Sequence, residues 1–415
     1  MGSGRLELLR DRRLRLLVVG QAASGFGSSV ATVALVFAAL EAAGGSASAV
    51  GWVLAANRFP LLVFLLLGGV LGDRLPRARV MIASDLVRFA TQGTAAALLL
   101  AGRAGLGTLL VLFAVHGAAG AFFNPAADGL VRGLVPVERL QPANALVGLA
   151  RTSTAIGGQA FGGALVALAG VGWAFALDAV TFAVSAVALV AIGVKGTVAA
   201  RPAASSVLRE AGEGLRAVRE RTWLWVGVLF VGLLNPLAMV SFFALGPVVA
   251  DRSLGGAGVW GAVGAGFGIG MVGGGLVALR GRPRRPLVVC FGGSLLQIPQ
   301  LALLALAAPA PLVVVAAVLG GAQASYFNAV WAAAEQGGVP ADVVSRVSSL
   351  GSVGTLALAP LAYAVVGPIA DRIGLAAPLW FGAAWILCST AAVLAVPAIR
   401  SYGARPAAAA PARAW

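Results

Sequence analysis

Cysteine, histidine and acidic residues are almost missing from this chain: 415 residues hold two cysteines, one histidine and 15 Asp and Glu. Both cysteines, Cys290 and Cys388, fall inside apolar runs, so neither a disulfide framework nor a metal cluster is expected. No glycine-rich phosphate loop and no nucleophile constellation stands outside those runs. That argues against an enzyme, against ATP-driven work by this chain alone, and for no cofactor. Charged residues of both signs make up only 11%, far below the share a soluble domain carries.

What fills the chain instead is apolar: 60% of residues are hydrophobic and the mean hydropathy is +0.94. In hydrocarbon every backbone polar group must be satisfied internally, and the apolar segments are too long for barrel strands, so they are helices. Twelve fit, at 14–40, 50–72, 80–101, 105–128, 144–169, 171–194, 222–250, 257–279, 286–308, 311–334, 343–370 and 373–399. The first follows a basic segment, is too long for a cleaved signal peptide, and reads as a retained span. Three basic residues, Arg103, Arg252 and Arg372, fall on one side of the membrane, and Arg58, Arg88 and Arg151 fall within spans. The remaining 24 of 30 lie on the other side, which is therefore cytoplasmic and holds both termini. Topology in a cell membrane thus accounts for the net charge of +15, and no nucleic acid is needed to explain it.

The two halves echo each other at an offset of 204 residues. Phe123-Asn124 answers to Phe327-Asn328, Val135-Pro136 to Val339-Pro340, Gly163 to Gly367, and Glu138 to Asp342. Both copies run in the same orientation, so the pseudo-axis lies along the membrane normal. The expected organisation is a cytoplasmic segment 1–13, a six-helix bundle 14–194, a linker 195–221, a second six-helix bundle 222–399 and a disordered tail 400–415. Leu208, Leu215 and Val218, with basic residues between them, read either as a short amphipathic helix on the membrane surface or as a solvated linker.

Between the second and third spans lies a compact charged hairpin, Gly69-Val-Leu-Gly-Asp73-Arg74-Leu-Pro76-Arg77-Ala-Arg79. Charge this dense stays in water. Asp73 at the cytoplasmic end of the second span faces the region where the eleventh span begins, and a helix N-terminus attracts a carboxylate. Arg74, Arg77 and Arg79 are in reach of Asp128, Glu138, Glu335 or lipid phosphates. Such contacts would bias one of two states of the cytoplasmic side; the alternative is that the arginines only set topology.

This hairpin resembles the signature Gly-x-x-x-Asp-Arg-x-Gly-Arg-Arg of the major facilitator superfamily, with Pro76 in place of the second glycine. Phe122-Phe-Asn124-Pro125-Ala, Ala143-Asn144-Ala-Leu146 and Arg346-Val-Ser-Ser349-Leu are similar to its branch of macrolide-efflux and enterobactin-export proteins. The resemblance runs along nearly the whole chain and implies an all-α fold of two six-helix pseudo-repeat bundles. Gly158-Gln159-Ala-Phe-Gly162-Gly163 looks like the antiporter signature Gly-Pro-x-x-Gly-Gly, with Gln159 at the proline position. The fourth span has Phe113 and His116-Gly117 where drug–proton antiporters of this kind carry an arginine and a Gln-Gly pair.

Ionisable residues inside spans are costly and mark candidate sites. Asp85 and Arg88, three apart, share a helix face, and Arg151 at similar depth completes a possible triad. Asp178 lies about 10 Å and Arg58 about 12 Å from the outer surface, counting 1.5 Å per residue, so depth permits them to pair. His116, the single histidine, sits near mid-membrane and is a candidate proton carrier. Gln21, Asn235 and Gln323 are further candidate contacts for substrate, and Asn235-Pro236 also marks a candidate kink.

The expectation is a monomeric secondary transporter in the lipid bilayer that exports amphipathic small molecules, such as antibiotics or siderophore-like metabolites, by proton-coupled alternating access. The alternative is an importer or facilitator of a small metabolite on the same fold. A cysteine at Arg77, in a variant lacking Cys290 and Cys388, should react with a membrane-impermeant thiol reagent from the cytoplasmic side only. Labelling from outside would invert the topology.

Overall fold

A computed structural model describes residues 10–72, 76–136, 139–193, 215–281, 283–339 and 344–403, with the backbone alone described at 61–62, 65–72, 234–235, 344–346 and 348–357. The described residues form twelve long helices. In the first half these are α1 (Arg12–Ala42), α2 (Ala47–Gly72), α3 (Arg77–Leu100), α4 (Leu106–Leu134), α5 (Leu140–Ala169) and α6 (Val171–Ile192). In the second half they are α7 (Thr222–Leu254), α8 (Ala257–Arg280), α9 (Pro286–Ala305), α10 (Ala310–Gly338), α11 (Val344–Ile373) and α12 (Ala376–Ala395). Eight of them, α1, α4, α6 to α10 and α12, are by themselves long and apolar enough to cross a membrane. The all-α, twelve-span architecture is the one expected.

Several helices outrun the apolar spans at the end that carries most of the basic residues. Helix α4 continues to Leu134 and α5 begins at Leu140. Hydropathy marks where hydrocarbon ends, whereas the helix continues until its hydrogen bonding stops, and Arg132 in the last turn of α4 suits the negative end of that helix. At the start of α1, Asp11 supplies the cap: its Oδ1 accepts from the N–H groups of Arg13 (2.8 Å) and Leu14 (3.3 Å).

The repeat is carried into the backbone. The 204-residue offset takes both ends of α4 onto both ends of α10, and both ends of α5 onto both ends of α11. The turn after each also matches. Gly170, between α5 and α6, has φ 92°, and its counterpart Gly374, after α11, has φ 90°. A side chain is strained at such angles, so a glycine turns the chain there.

By contacts the chain divides into two compact units. One comprises Met1–Ala203, Phe243–Ala265 and Pro360–Gly374; the other comprises Ala204–Phe242, Gly266–Ala359 and Leu375–Trp415. In the first, Leu14, Met81, Phe123, Leu130 and Ile192 form a buried apolar cluster. In the second, Phe230, Phe291, Phe327 and Trp331 form an aromatic cluster, with Phe230 and Phe291 5.1 Å apart edge to face. Phe123 and Phe327, repeat mates in the sequence, each sit within their own cluster. Most of the linker lies outside the described residues, but 215–219 is helical and Val218 is buried in the aromatic cluster.

Helix α7 contains a π-helical turn at Phe230–Leu234, directly before Asn235-Pro236. Proline cannot donate its backbone hydrogen bond, and the widened turn absorbs that defect at the place where the sequence suggests a kink. The side chain of Asn235 lies outside the described set.

In lipid, helices are held by close packing more than by hydrophobic burial, and small residues permit it. Within the second unit, a Cβ on Gly274 would collide with the Ala322 carbonyl, and one on Gly321 would collide with the Phe267 carbonyl. Gly273, one residue away, faces open space. Gly274→Ala should therefore lower the melting temperature in detergent by several degrees. Gly273→Ala should leave it unchanged or raise it slightly, because alanine is the better helix former by about 1 kcal/mol.

Candidate functional site

Helices α1, α3, α4 and α6 enclose a polar cluster within the first unit. Arg88 on α3 donates from Nη2 to Asp85 Oδ1 at 2.7 Å, one helical turn away. Its guanidinium stands 4.3 Å from the centroid of Phe123 and 4.5 Å from that of Phe182. A cation between two aromatic faces recovers part of the solvation it loses. Asp178 on α6 meets uncharged groups: Gln92 Nε2 donates to Oδ2 at 2.5 Å, while Ser28 and Thr181 donate to Oδ1 at 3.5 and 3.4 Å. Asp85 and Asp178 are both 0% exposed. Gly27 on α1 makes room for this contact, since a Cβ there would lie 2.6 Å from Asp178 Oδ1. His116 on α4 lies edge-on to Phe182, with ring centroids 5.7 Å apart, and its Nδ1 is buried without a hydrogen-bond partner.

Two expected partnerships differ from the structure. Arg151 does not join Asp85; it donates to Gln21 Oε1 at 3.1 Å and approaches Asp128 at 3.9 Å. Arg58 is exposed and lies near Tyr363, while Asp178 is engaged by Gln92. Depth fixes only one coordinate, and the rotation of each helix decides which side chains meet.

In the second unit Gln323 on α10 is held by two groups from α9. Gln297 Nε2 donates to its Oε1, and its own Nε2 donates to Ser294 Oγ at 3.2 Å. Gln300, also on α9 and fully buried, reaches Met239 Sδ at 3.7 Å. Gln92, Gln297 and Gln300 were not singled out from sequence. Their signal was present: amides within apolar runs must find partners, as ionisable groups must.

Of the charged hairpin, Gly69 lies in α2, and Asp73 and Arg74 fall outside the described residues. Arg77 reaches no acid among the described residues. Its Nη1 donates to the Gly129 carbonyl at 2.6 Å, and the guanidinium occupies the space a side chain at Gly129 would need. Arg79 is exposed.

The fifth-span motif faces two helices. A Cβ on Gly158 would lie 2.7 Å from the Phe26 carbonyl, and one on Gly162 2.8 Å from Val30 Cα, both on α1. Gly163 turns the other way: its Cβ would lie 2.6 Å from Gly261 Cα and 2.7 Å from the Ala257 carbonyl on α8. The side chain of Gln159 packs on Gly264.

A further polar junction joins the N-terminal end of α2 to the C-terminal end of α11. Asp371 lies in the last turn of α11, beyond the span at 343–370, and its carboxylate receives four hydrogen bonds from the start of α2. Ala47 N–H donates to Oδ1 at 3.1 Å; Ser46 Oγ, Ser48 N–H and Ser48 Oγ donate to Oδ2 at 2.9, 2.9 and 2.6 Å. Burial opposes ionisation of this carboxyl, but the bonds from Ser48, Ser46 and Ala47 together outweigh it and hold the group below the usual carboxylate range. Nearby, Arg252 at the end of α7 donates to the Gly45 carbonyl at 2.7 Å.

The profile of the Major Facilitator Superfamily matches residues 17–362. Among solved structures the chain is similar to the nucleoside transporter NupG, at 14% identity and TM-score 0.71, covering 92% of this chain and 98% of that one. It is also similar to a bacterial homologue of the human lysosomal transporter Spinster in an inward-facing, unoccupied conformation, at 14% identity and TM-score 0.69, covering 95% and 97%. A bacterial homologue of the iron transporter ferroportin in an inward-facing state matches at 15% identity and TM-score 0.68, covering 95% and 99%. Among curated proteins none matches the sequence. At these identities the likeness to solved structures concerns the fold alone.

The buried pair makes its own prediction. Arg88→Ala should destabilise the protein by about 3–5 kcal/mol, because it leaves Asp85 without its counter-charge. The double variant Asp85→Asn, Arg88→Gln should recover much of that loss in a thermal melt.

Proposed function

From the premise that the chain belongs to the major facilitator superfamily, we propose that it is a secondary exporter of amphipathic small molecules. It is a multi-pass membrane protein with a transporter fold, so its substrate is a small molecule and its surroundings are the lipid bilayer. The observation that carries the export reading is the packing of Gly158, Gly162 and Gly163. In the antiporter-like motif each of these glycines meets the backbone of α1 or α8. Small residues at such a contact let helices slide and tilt without side chains interlocking, which an alternating-access cycle requires.

In this reading the protein is a monomer in the cell membrane with both termini in the cytoplasm, and its cargo moves outward against an inward flow of protons. Asp73, Arg74, Arg77 and Arg79 bias the cytoplasmic gate. Asp178 and His116 are the candidate proton carriers. Asp178 supports the role better, since its hydrogen bonds come from Gln92, Ser28 and Thr181, and Arg88 is committed to Asp85. Gln21, Arg58, Arg151, Asn235 and Gln323 are the candidate contacts for cargo.

Two measurements test this. In a drug-susceptibility panel, a strain expressing the protein should tolerate at least one amphipathic antibiotic better than a strain expressing Asp73→Asn, with equal amounts of both proteins in the membrane. Everted vesicles should then accumulate that compound when a proton gradient is imposed, and Asp178→Asn should remove the dependence on the gradient. Uptake by right-side-out vesicles instead would favour the importer. A pH profile unchanged in His116→Ala would assign that histidine to packing.

A further inference from the structure

Arg58 lies about 12 Å beyond the start of the apolar span 50–72, near the middle of the hydrocarbon. It is exposed, and among the described residues it has no acid. The ion pairs inside the spans of the first unit belong to other arginines, Arg88 with Asp85 and Arg151 with Asp128. Asp178 is turned toward α1 and α3, where Gly27 and Gln92 meet it. A guanidinium without a counter-ion is costly at this depth and is kept where it lines a wet path or meets an anion.

The packing of α2 sets where this charge points. Helices α2 and α11 run antiparallel: a Cβ on Gly367 would strike the Ala47 carbonyl, and one on Gly51 would strike the Tyr363 carbonyl. Gly51 and Arg58 are separated by close to two full turns, so both lie on the face of α2 that looks toward α11. The backbones touch at Gly51, whereas Arg58 is exposed, so the seam that is closed at the first opens at the second. The adjoining face is fixed against α4, where Asn57 Nδ2 donates to the Phe113 carbonyl at 3.4 Å and the Asn57 carbonyl fills the space beside Gly117. Side chains lean toward the N-terminus of their own helix, so in this antiparallel pair Arg58 and Tyr363 lean toward each other. The phenol lies beside the guanidinium.

We propose that Arg58 and Tyr363 form an anion subsite and that the cargo is an amphipathic organic acid, its carboxylate or sulfonate held between guanidinium and phenol. The proposal rests on the transporter reading above and names its substrate class. A planar guanidinium grips an oxyanion through paired N–H bonds, and the phenolic O–H supplies a further donor. The same charge repels an amphipathic amine, so the subsite sorts cargo by sign as well as by apolar surface. Loading turns an isolated cation into an ion pair, which offsets part of the cost of keeping that cation within the span.

Photolabelling of the full-length protein in phosphatidylcholine nanodiscs reads the subsite directly. Azidonaphthalene sulfonate and uncharged azidonaphthalene share an aromatic body and a photoreactive group and differ in the anion alone. On illumination the sulfonate should attach around Arg58 on α2 and Tyr363 on α11, as mapped by peptide mass spectrometry. Arg58→Gln should lower that yield about tenfold, the equivalent of one charged hydrogen-bonded contact, and leave labelling by the uncharged compound unchanged. Tyr363→Phe, which removes only the hydroxyl, should lower it about threefold. If Arg58→Gln does not fold, the parent alone decides. Excess naphthalene sulfonate should suppress the adducts at this stretch, and an equal excess of naphthylmethylamine, a cation at neutral pH, should not.

Three results overturn the proposal: sulfonate labelling here no higher than that of the uncharged compound, a yield in Arg58→Gln that is unchanged or falls equally for both compounds, or equal suppression by acid and amine. The measurement needs neither a gradient nor a direction of movement. Anion binding at Arg58 in a protein that moves nothing outward retains the subsite and removes the export assignment. Export of amphipathic amines without anion binding does the reverse.

Discussion

Direct contact between backbones at glycine is the constraint on which the structure depends. Within hydrocarbon a helix gains little by exchanging lipid for another apolar surface, so dispersion at close range has to hold the bundle. The chain holds 57 glycines, and a number of them make that contact. Gly163 meets Gly261, Gly117 meets the Asn57 carbonyl, and Gly270 and Gly274 meet carbonyls of α10. Where a side chain does enter such a seam, it is shaped to the gap. Gln159 lies on Gly264, Gln300 on Gly320 and the indole of Trp331 on Gly227.

The same constraint explains which polar groups can exist inside the spans. Packing this close leaves little water, so each polar side chain depends on a partner from a neighbouring helix. Asp178 has Gln92, Gln323 has Gln297 and Ser294, and Ser84 donates to the Ala119 carbonyl at 2.6 Å. Arg88 is held by an acid on one side and two aromatic rings around it. The first unit thus concentrates its polarity in charges, and the second in amides.

Much of this was legible in the sequence because it depended on order along the chain. The 204-residue echo relates α4 to α10 and α5 to α11 at both ends, since the two copies obey the same stop signals, down to Gly170 and Gly374, although the apolar spans read from sequence stop short of several of those ends. The Asp85–Arg88 pair was legible because both lie on one helix, one turn apart. Pairings across helices were not. Arg151 went to Gln21 and Arg58 toward Tyr363, because membrane depth fixes one coordinate and leaves the azimuth of each helix open. Asp371 was missed for a different reason. It stands just beyond the end of a late span, where a lone acid reads as an interfacial residue.

The junction at Asp371 also limits how the protein can vary. Two of its four donors are main-chain N–H groups, which every residue type except proline supplies. Substitution at 47 or 48 can remove a hydroxyl but not an amide, unless it introduces proline, which the first turn of a helix accepts without penalty. The strength of this fastening is therefore inherited almost wholly through position 371. A lineage that needs it weaker has two routes, a change of the acid or a proline at the mouth of α2.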